Sequence, residues 1–202
     1  MTLPPMVAGH FPVIVLASAS PRRRELLDQL GVAHAVMPAD VDENPVPGEA
    51  PEVLVRRLAR AKAQAGLVRD GGTRVVLGAD TIVVLKGEVF GKPHDRNDAV
   101  RMLTALAGCE HQVLTAVAVA TPGGGVHDAL SVTTVRMRPM SAAEAGAYWD
   151  SGEPAGKAGA YAIQGRGAMF IEHICGSYSG VMGLPLFETA ALLREAGVKV
   201  LG

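Results

Sequence analysis

Thr73 to Phe90 reads TRVVLGADTIVVLKGEVF, and this stretch decides what kind of sheet the chain can build. Its first run, around Val75 to Leu77, is rich in β-branched residues and reads as a strand; Asp80 interrupts it sharply, and the run from Ile82 to Leu85 resumes it. Lys86-Gly87 then makes a two-residue turn into a second short strand, which is an antiparallel hairpin. Upstream lies a different pattern. Phe11 to Ala17 (FPVIVLA) is a continuous apolar run of strand length. PRRRELLDQLG follows, with Pro21 in a first helical turn, Leu26, Leu27 and Leu30 on one face, and Gly31 as the stop. Strand, loop and helix in that order open an α/β unit, and the hairpin prevents the sheet from being wholly parallel.

Working outward, Ala33 to Met37 predicts a short strand. ADVDENPVPGEAP, with three prolines and one glycine, predicts a loop. From Glu52 to Val68 the apolar positions Leu54, Leu58, Ala61, Ala65 and Val68 step by four and three, the mark of an amphipathic helix. A further helix begins after GKPHD, capped by Asp95, with Ala99, Met102, Leu103 and Leu106 inward. His111 to Thr121, a PGGG turn and a strand through Arg138 form a second hairpin. Ser141 and Glu144 form a capping box for a helix reaching Trp149. SGEPAGKAGAYAIQGRGA is too glycine-dense for a regular helix, and a last helix starts at Pro185 and closes at Gly197. The fold class expected is α/β with a mixed sheet flanked by helices. Residues 1–10 read as a flexible tail, and 11–202 as one domain without an internal boundary.

The 202 residues are 49% hydrophobic and only 4% aromatic, so the core must rest on Ala, Val, Leu, Ile and Met. A formal net charge of −1 argues against a nucleic-acid binder, which needs a basic excess. The opening MTLPPMVAGH has no signal-peptide pattern, and no apolar run reaches the roughly 20 residues of a membrane helix. Cys109 and Cys175 lie outside any CxxC spacing and read as idle thiols in a reducing compartment. A cytoplasmic location is expected.

Four features carry chemistry. Arg22, Arg23 and Arg24 occupy the first turn of a helix, where the dipole disfavours cations. Ser18 and Ser20 precede them, so free N–H groups, hydroxyls and guanidinium groups converge as a phosphate site would require. The plainer alternative is three arginines pointing into solvent. Asp80 sits in an apolar strand, which is costly unless it meets a metal, a cation or another partner; otherwise it caps a strand end. Asp40, Asp42 and Glu43 lie in the acidic loop, and carboxylates from separate loops suit a hard divalent cation shared with phosphates. Such loops are also often merely solvated. Lys62, at the margin of its helix's apolar stripe, either reaches a cleft or snorkels. Lys92, between Gly91 and Pro93, is either held in place or idle.

Several nucleotide and hydrolase classes lack their parts here. The sequence has no GxxxxGK[ST], no GxGxxG after a strand, no GxSxG and no HExxH. Gly123 to Gly125 fit a hairpin turn better than a phosphate loop. What remains is metal-assisted phosphoryl chemistry.

The segments LASASPRRRELL, LGADTIVV, GKP, KAGAYAIQGRGA and GSYSGVMGLPL, in that order, closely resemble the Maf family of nucleoside triphosphate pyrophosphatases. The resemblance runs from about Val13 to the last helix. It implies a mixed, curved sheet with two lobes and a cleft, similar to the inosine-triphosphate pyrophosphatases. It also implies hydrolysis between the α and β phosphates with magnesium or manganese, in a homodimer. By motif, Asp80 matches the proton acceptor, and Ser18, Ser20, Arg22 and Arg23 match the phosphate-binding loop. Glu43, Lys62 and Lys92 match the other polar positions, with Glu43 and Asp80 the expected metal ligands. Arg22, Thr81 and Gln164 match the branch acting on dTTP and UTP, and Gln164 is the candidate base reader, since an amide mirrors an imide edge. The resemblance also admits two other roles: a non-catalytic nucleotide sensor in cell division, and the same chemistry on modified nucleotides such as 7-methyl-GTP.

Overall fold

The computed structural model describes residues 13–201. The expected tail and the first two residues of the FPVIVLA strand lie outside them. Seven strands form one sheet in the order β2-β1-β3-β5-β6-β7, with β4 added to β3. These are β1 (Ile14–Leu16), β2 (His34–Val36), β3 (Val75–Leu85), β4 (Glu88–Phe90), β5 (Glu110–Ala120), β6 (Val126–Met137) and β7 (Ile171–Cys175). β1 is parallel to β2 and β3, and every other pairing is antiparallel. The helices are α1 (Pro21–Gln29), α2 (Pro51–Arg69), α3 (Arg96–Leu106), α4 (Ala142–Asp150), α5 (Tyr178–Met182) and α6 (Leu186–Glu195). The mixed α/β class expected from the sequence is the class observed.

Local chemistry explains most boundaries. Lys86 and Gly87 both have positive φ, 51° and 85°, as a type I′ turn requires of a two-residue hairpin. The Asp95 side chain accepts a bond from the Asp98 N–H, and Ser141 and Glu144 form the capping box that starts α4. Two elements were not expected, β7 and α5. One expectation is corrected: Asp80 does not interrupt a strand, because β3 runs unbroken through it, paired to β5 from Val76 to Val84.

β3 carries the site because its two faces and two edges are used differently. On one face, Leu77 and Ala79 pack with α1 and α6, while Val83 packs with α3, α4 and Phe90. Between these two apolar clusters stand Thr81 and its cross-strand partner Thr115. On the other face, Ile82 and Val84 pack beneath α2. One edge of β3 is paired along its length with β5. The other edge is shared by β1, over Val75–Leu77, and β4, over Val83–Leu85. Residues 78–82, GADTI, therefore have no strand partner on that side, and the cleft opens at this gap.

Candidate active site

The cleft has a volume of about 1230 Å³ and is walled by the β1–α1 turn, β3, α2, the acidic loop, Gly91-Lys92 and the glycine-rich segment after α4. It brings Ser18, Ser20, Arg22, Arg23, Glu43, Lys62, Asp80, Thr81, Lys92 and Gln164 to one place.

Asp80 is 8% exposed and is held by Lys62, whose Nζ lies 2.7 Å from its Oδ1 and 2.6 Å from Glu43 Oε1. Lys92 extends this chain of charges, 3.7 Å from Glu43 Oε2. Lys62 is 8% exposed, which excludes snorkelling into solvent. It reaches Asp80 because α2 lies directly on the backbone of β3. A Cβ on Gly78 would stand 2.5 Å from both Ala59 O and Ala63 N, so only glycine admits the helix. Gly78 thus serves the approach of α2. Burial opposes ionisation of Glu43, but the Lys62 ammonium, with Lys92 and Arg23, holds its carboxyl below the ordinary glutamate value. Asp42 bonds Asn44 instead and, like Asp40, stays out of the cleft.

The three arginines of α1 divide their tasks. Arg24 is exposed. Arg23 is spent on the protein: Nε donates to Gly183 O at 2.8 Å, one terminal nitrogen to Ser18 Oγ at 3.1 Å, the other to Thr81 Oγ1 at 3.2 Å. Burial pushes its pKa down while Asp80 pushes it up. Arg22 makes one long bond, 3.4 Å, to Met182 O and keeps its terminal nitrogens free among the described residues. Ser20 caps α1 without a side-chain bond, which leaves its hydroxyl open. The sequence treated Arg22 and Arg23 alike; the geometry makes Arg23 a brace and leaves Arg22 available. Thr81 belongs to the brace as well. Thr115 donates to Gly180 O at 2.7 Å and lies 3.0 Å from Thr81 Oγ1, so Thr81, Thr115 and Arg23 tie α5 to the β1–α1 turn.

Gln164, named from the sequence, is exposed at the tip of the glycine-rich segment; sequence reasoning missed Glu153 and Lys157 of that segment and Tyr148 of α4. Lys157 is half-buried in the cleft wall, and its side chain has no hydrogen bond or ion pair among the described residues; burial and the nearby Arg22 charge lower its pKa, against the pull of Glu153. Glu153 and Tyr148 form the hydrogen-bonded hub of that segment. Their partners are backbone groups, which leave no mark in the sequence pattern.

No group of three or more His, Cys, Asp and Glu residues is placed to hold a metal among the described residues. Glu43 and Asp80, joined through Lys62, nevertheless suit magnesium, which takes one or two carboxylates and completes its shell with phosphate oxygens and water.

The family model for "Maf-like protein" matches residues 13–196. A dTTP/UTP pyrophosphatase of Bordetella avium is 55% identical over 197 residues, covering 94% of this chain and 98% of that protein. Another, from Cupriavidus metallidurans, is 53% identical over 196 residues, with 92% and 98% covered. A third, from an Anaeromyxobacter species, is 56% identical over 188 residues, with 91% and 89% covered. A solved nucleoside-triphosphatase / dITP/XTP pyrophosphatase from Mycobacterium abscessus superposes with a TM-score of 0.40 at 16% identity, over 61% of this chain and 72% of that one.

Proposed function

The chain belongs to the Maf family, and from that premise we propose that it hydrolyses dTTP and UTP to the nucleoside monophosphate and pyrophosphate. The observation that carries this reading is Asp80, a carboxylate buried in β3 beside Lys62, at the gap in the sheet edge where the cation-lined cleft opens.

Ser20, the first turn of α1, Arg22 and Lys157 hold the triphosphate, for these are hydroxyl, N–H and cationic groups of the cleft that the described residues leave unsatisfied. Arg23, Ser18, Thr81 and Thr115 keep that surface in shape. Asp80 accepts the proton of the attacking water as its oxygen bonds the α-phosphorus and the bond to the β-phosphate oxygen breaks. Lys62 fixes the Asp80 carboxylate and balances its charge together with that of Glu43. Lys92 steadies Glu43 from the rim. Asp80 and Glu43 are the residues that would hold a magnesium or manganese ion, and such an ion, when bound, neutralises charge on the departing pyrophosphate. Gln164 reads the imide edge of the base.

The same reading places the enzyme in the cytoplasm as a homodimer acting on free nucleotides. Among the described residues no helix is long and apolar enough to cross a membrane, and Cys109 and Cys175 are unpaired.

Pyrophosphate release from UTP, dTTP, CTP and 7-methyl-GTP, with and without magnesium or manganese, tests the proposal beside Asp80→Asn. Metal-dependent release from dTTP and UTP, reduced roughly 10³-fold in the variant, is expected. Near-normal turnover by Asp80→Asn would sink the assignment of the base. A preference for 7-methyl-GTP would overturn the substrate. Nucleotide binding without any release would leave the cell-division sensor in its place.

A further inference from the structure

Residues 162–167, AIQGRG, wrap around a single carboxylate. Glu153 Oε2 accepts the Arg166 N–H at 2.8 Å, and Oε1 accepts the Gly167 N–H at 2.9 Å and the Tyr148 hydroxyl at 2.5 Å. The same hydroxyl accepts the Ala162 N–H at 3.1 Å. Three backbone N–H groups on both sides of Gln164 therefore converge on a two-residue hub. The wrap is tight: a Cβ on Gly165 would collide with the Glu153 carboxylate, and one on Gly167 would stand 2.5 Å from Ala162 O and 2.6 Å from the Tyr148 hydroxyl. Tyr148 is itself fixed, 5% exposed with its ring edge-on to Phe170 at 5.2 Å. Gln164, by contrast, makes no hydrogen bond among the described residues, so its direction is set by the backbone that carries it.

We propose that Glu153, locked by Tyr148, is the positioning residue that aims Gln164 and thereby sets the choice of base. The inference rests on Gln164 reading the base. A loop tip with an unbonded amide discriminates only if its backbone is held to within a fraction of an ångström, because small misplacements of a recognition group cost large factors in rate. A carboxylate suits this task better than an amide would. Both of its oxygens accept, whereas a glutamine in its place turns an N–H toward one of the loop's own N–H groups.

The test is the ratio of kcat/KM for UTP over CTP in wild type, Glu153→Gln, Tyr148→Phe, Gln164→Ala and the double variant Glu153→Gln/Gln164→Ala, with thermal melts and amide hydrogen exchange at residues 162–167. Glu153→Gln and Tyr148→Phe are expected to lower the ratio by roughly tenfold and to speed exchange at Ala162, Arg166 and Gly167. The double variant should discriminate no worse than Gln164→Ala alone, the sign of two residues acting as one unit. Unchanged discrimination and unchanged exchange in both single variants would overturn the inference, and so would an equal loss with UTP and CTP. If wild type prefers UTP and Gln164→Ala erases the preference while Glu153→Gln and Tyr148→Phe keep it, the base reading stands and this inference alone falls. If wild type shows no preference, the base reading fails and takes the inference with it.

Discussion

Lys62 and Lys157 both face the cleft, but they stand on different foundations. Lys62 comes from α2, a helix pressed onto the backbone of β3, and bonds two carboxylates at 2.6 and 2.7 Å. Lys157 comes from the glycine-rich segment and has no acceptor among the described residues, with Arg22 adding repulsion. On the α2–β3 side of the cleft the cation and its carboxylates are already paired. The loop-borne part carries a cation without a partner among the described residues. Cations that line one cleft are therefore not equivalent: Lys62 is committed to carboxylates of the protein, and under the proposed function Lys157 is the one left to meet the ligand.

The largest expected effect comes from breaking the maintained side. Lys62→Met leaves Asp80, 8% exposed, and Glu43 without their shared cation. Removing one partner of a buried pair costs about 3 to 5 kcal/mol, so the variant should lose about 4 kcal/mol in denaturant unfolding along with most of its activity. If Lys62→Met were as stable as wild type, Lys62 would not be the element that makes Asp80 tolerable inside the sheet.

The next effect is a pH dependence of folding set beneath the loop-borne side. His111 is 3% exposed, its Nε2 lies 2.8 Å from the Tyr161 hydroxyl, and its Nδ1 has no partner among the described residues. Burial drives its pKa down to about 4 from 6.5. The unfolded chain therefore binds this proton at a higher pH than the native one does. The stability from a neutral His111 is complete above pH 6.5 and is lost as pH falls from 6.5 to 4, by about 3 kcal/mol. Unfolding free energy measured at intervals between pH 7 and pH 4 should show that slope, and His111→Phe should flatten it whatever it does to the plateau. The paired carboxylates Glu49, Asp70 and Glu144, held down to about 2 from 4.5, 3.8 and 4.5, contribute stability that is complete above those ordinary values and is lost as pH falls from them toward 2, largely below the His111 window.

Lys157→Met probes the loop-borne cation. With no ion pair to break, stability should change by less than about 0.5 kcal/mol. KM for UTP should rise roughly tenfold with kcat less affected, since a contact to the triphosphate present before and during reaction contributes uniform binding. A large loss of stability with an unchanged KM would reverse the comparison with Lys62 and make Lys157 the structural cation.

The same division explains what the sequence could disclose. Hairpins, caps and amphipathic stripes depend on neighbours in the chain, so the β3–β4 turn, the Asp95 cap and the α4 capping box were legible. β7 was not, because Ile171 to Cys175 is a short edge strand whose only ladder partner among the described residues is β6. α5 has five residues and is held by Ser177 at its start and by Arg22, Arg23 and Thr115 from distant elements. In the site, Asp80, Glu43 and Lys62 announced themselves as charges in apolar or acidic settings. Glu153, Tyr148 and Lys157 did not. Glu153 and Tyr148 act through backbone N–H groups, and Lys157 acts by lacking a partner, and neither property has a residue-type signature.

The smallest effect separates three adjacent arginines that composition and spacing cannot tell apart. Arg24 is exposed and, among the described residues, makes no side-chain bond, yet it stands in the first turn of α1, where the helix dipole opposes a cation. Arg24→Ala removes that opposition without touching the cleft, so the protein should gain a few tenths of a kcal/mol and keep KM and kcat within about twofold. Arg22→Ala should raise KM and cost less stability than Arg23→Ala, because Arg22 lines the cleft and makes one long bond, to Met182 O. Arg23→Ala should lower stability and kcat together, because three protein acceptors, on Gly183, Ser18 and Thr81, lose their donor at once. If Arg24→Ala weakened substrate binding as much as Arg22→Ala, the helix would present its arginines as one diffuse patch, and the distinction between cations that maintain the cleft and cations that meet the ligand would fail where it is easiest to see.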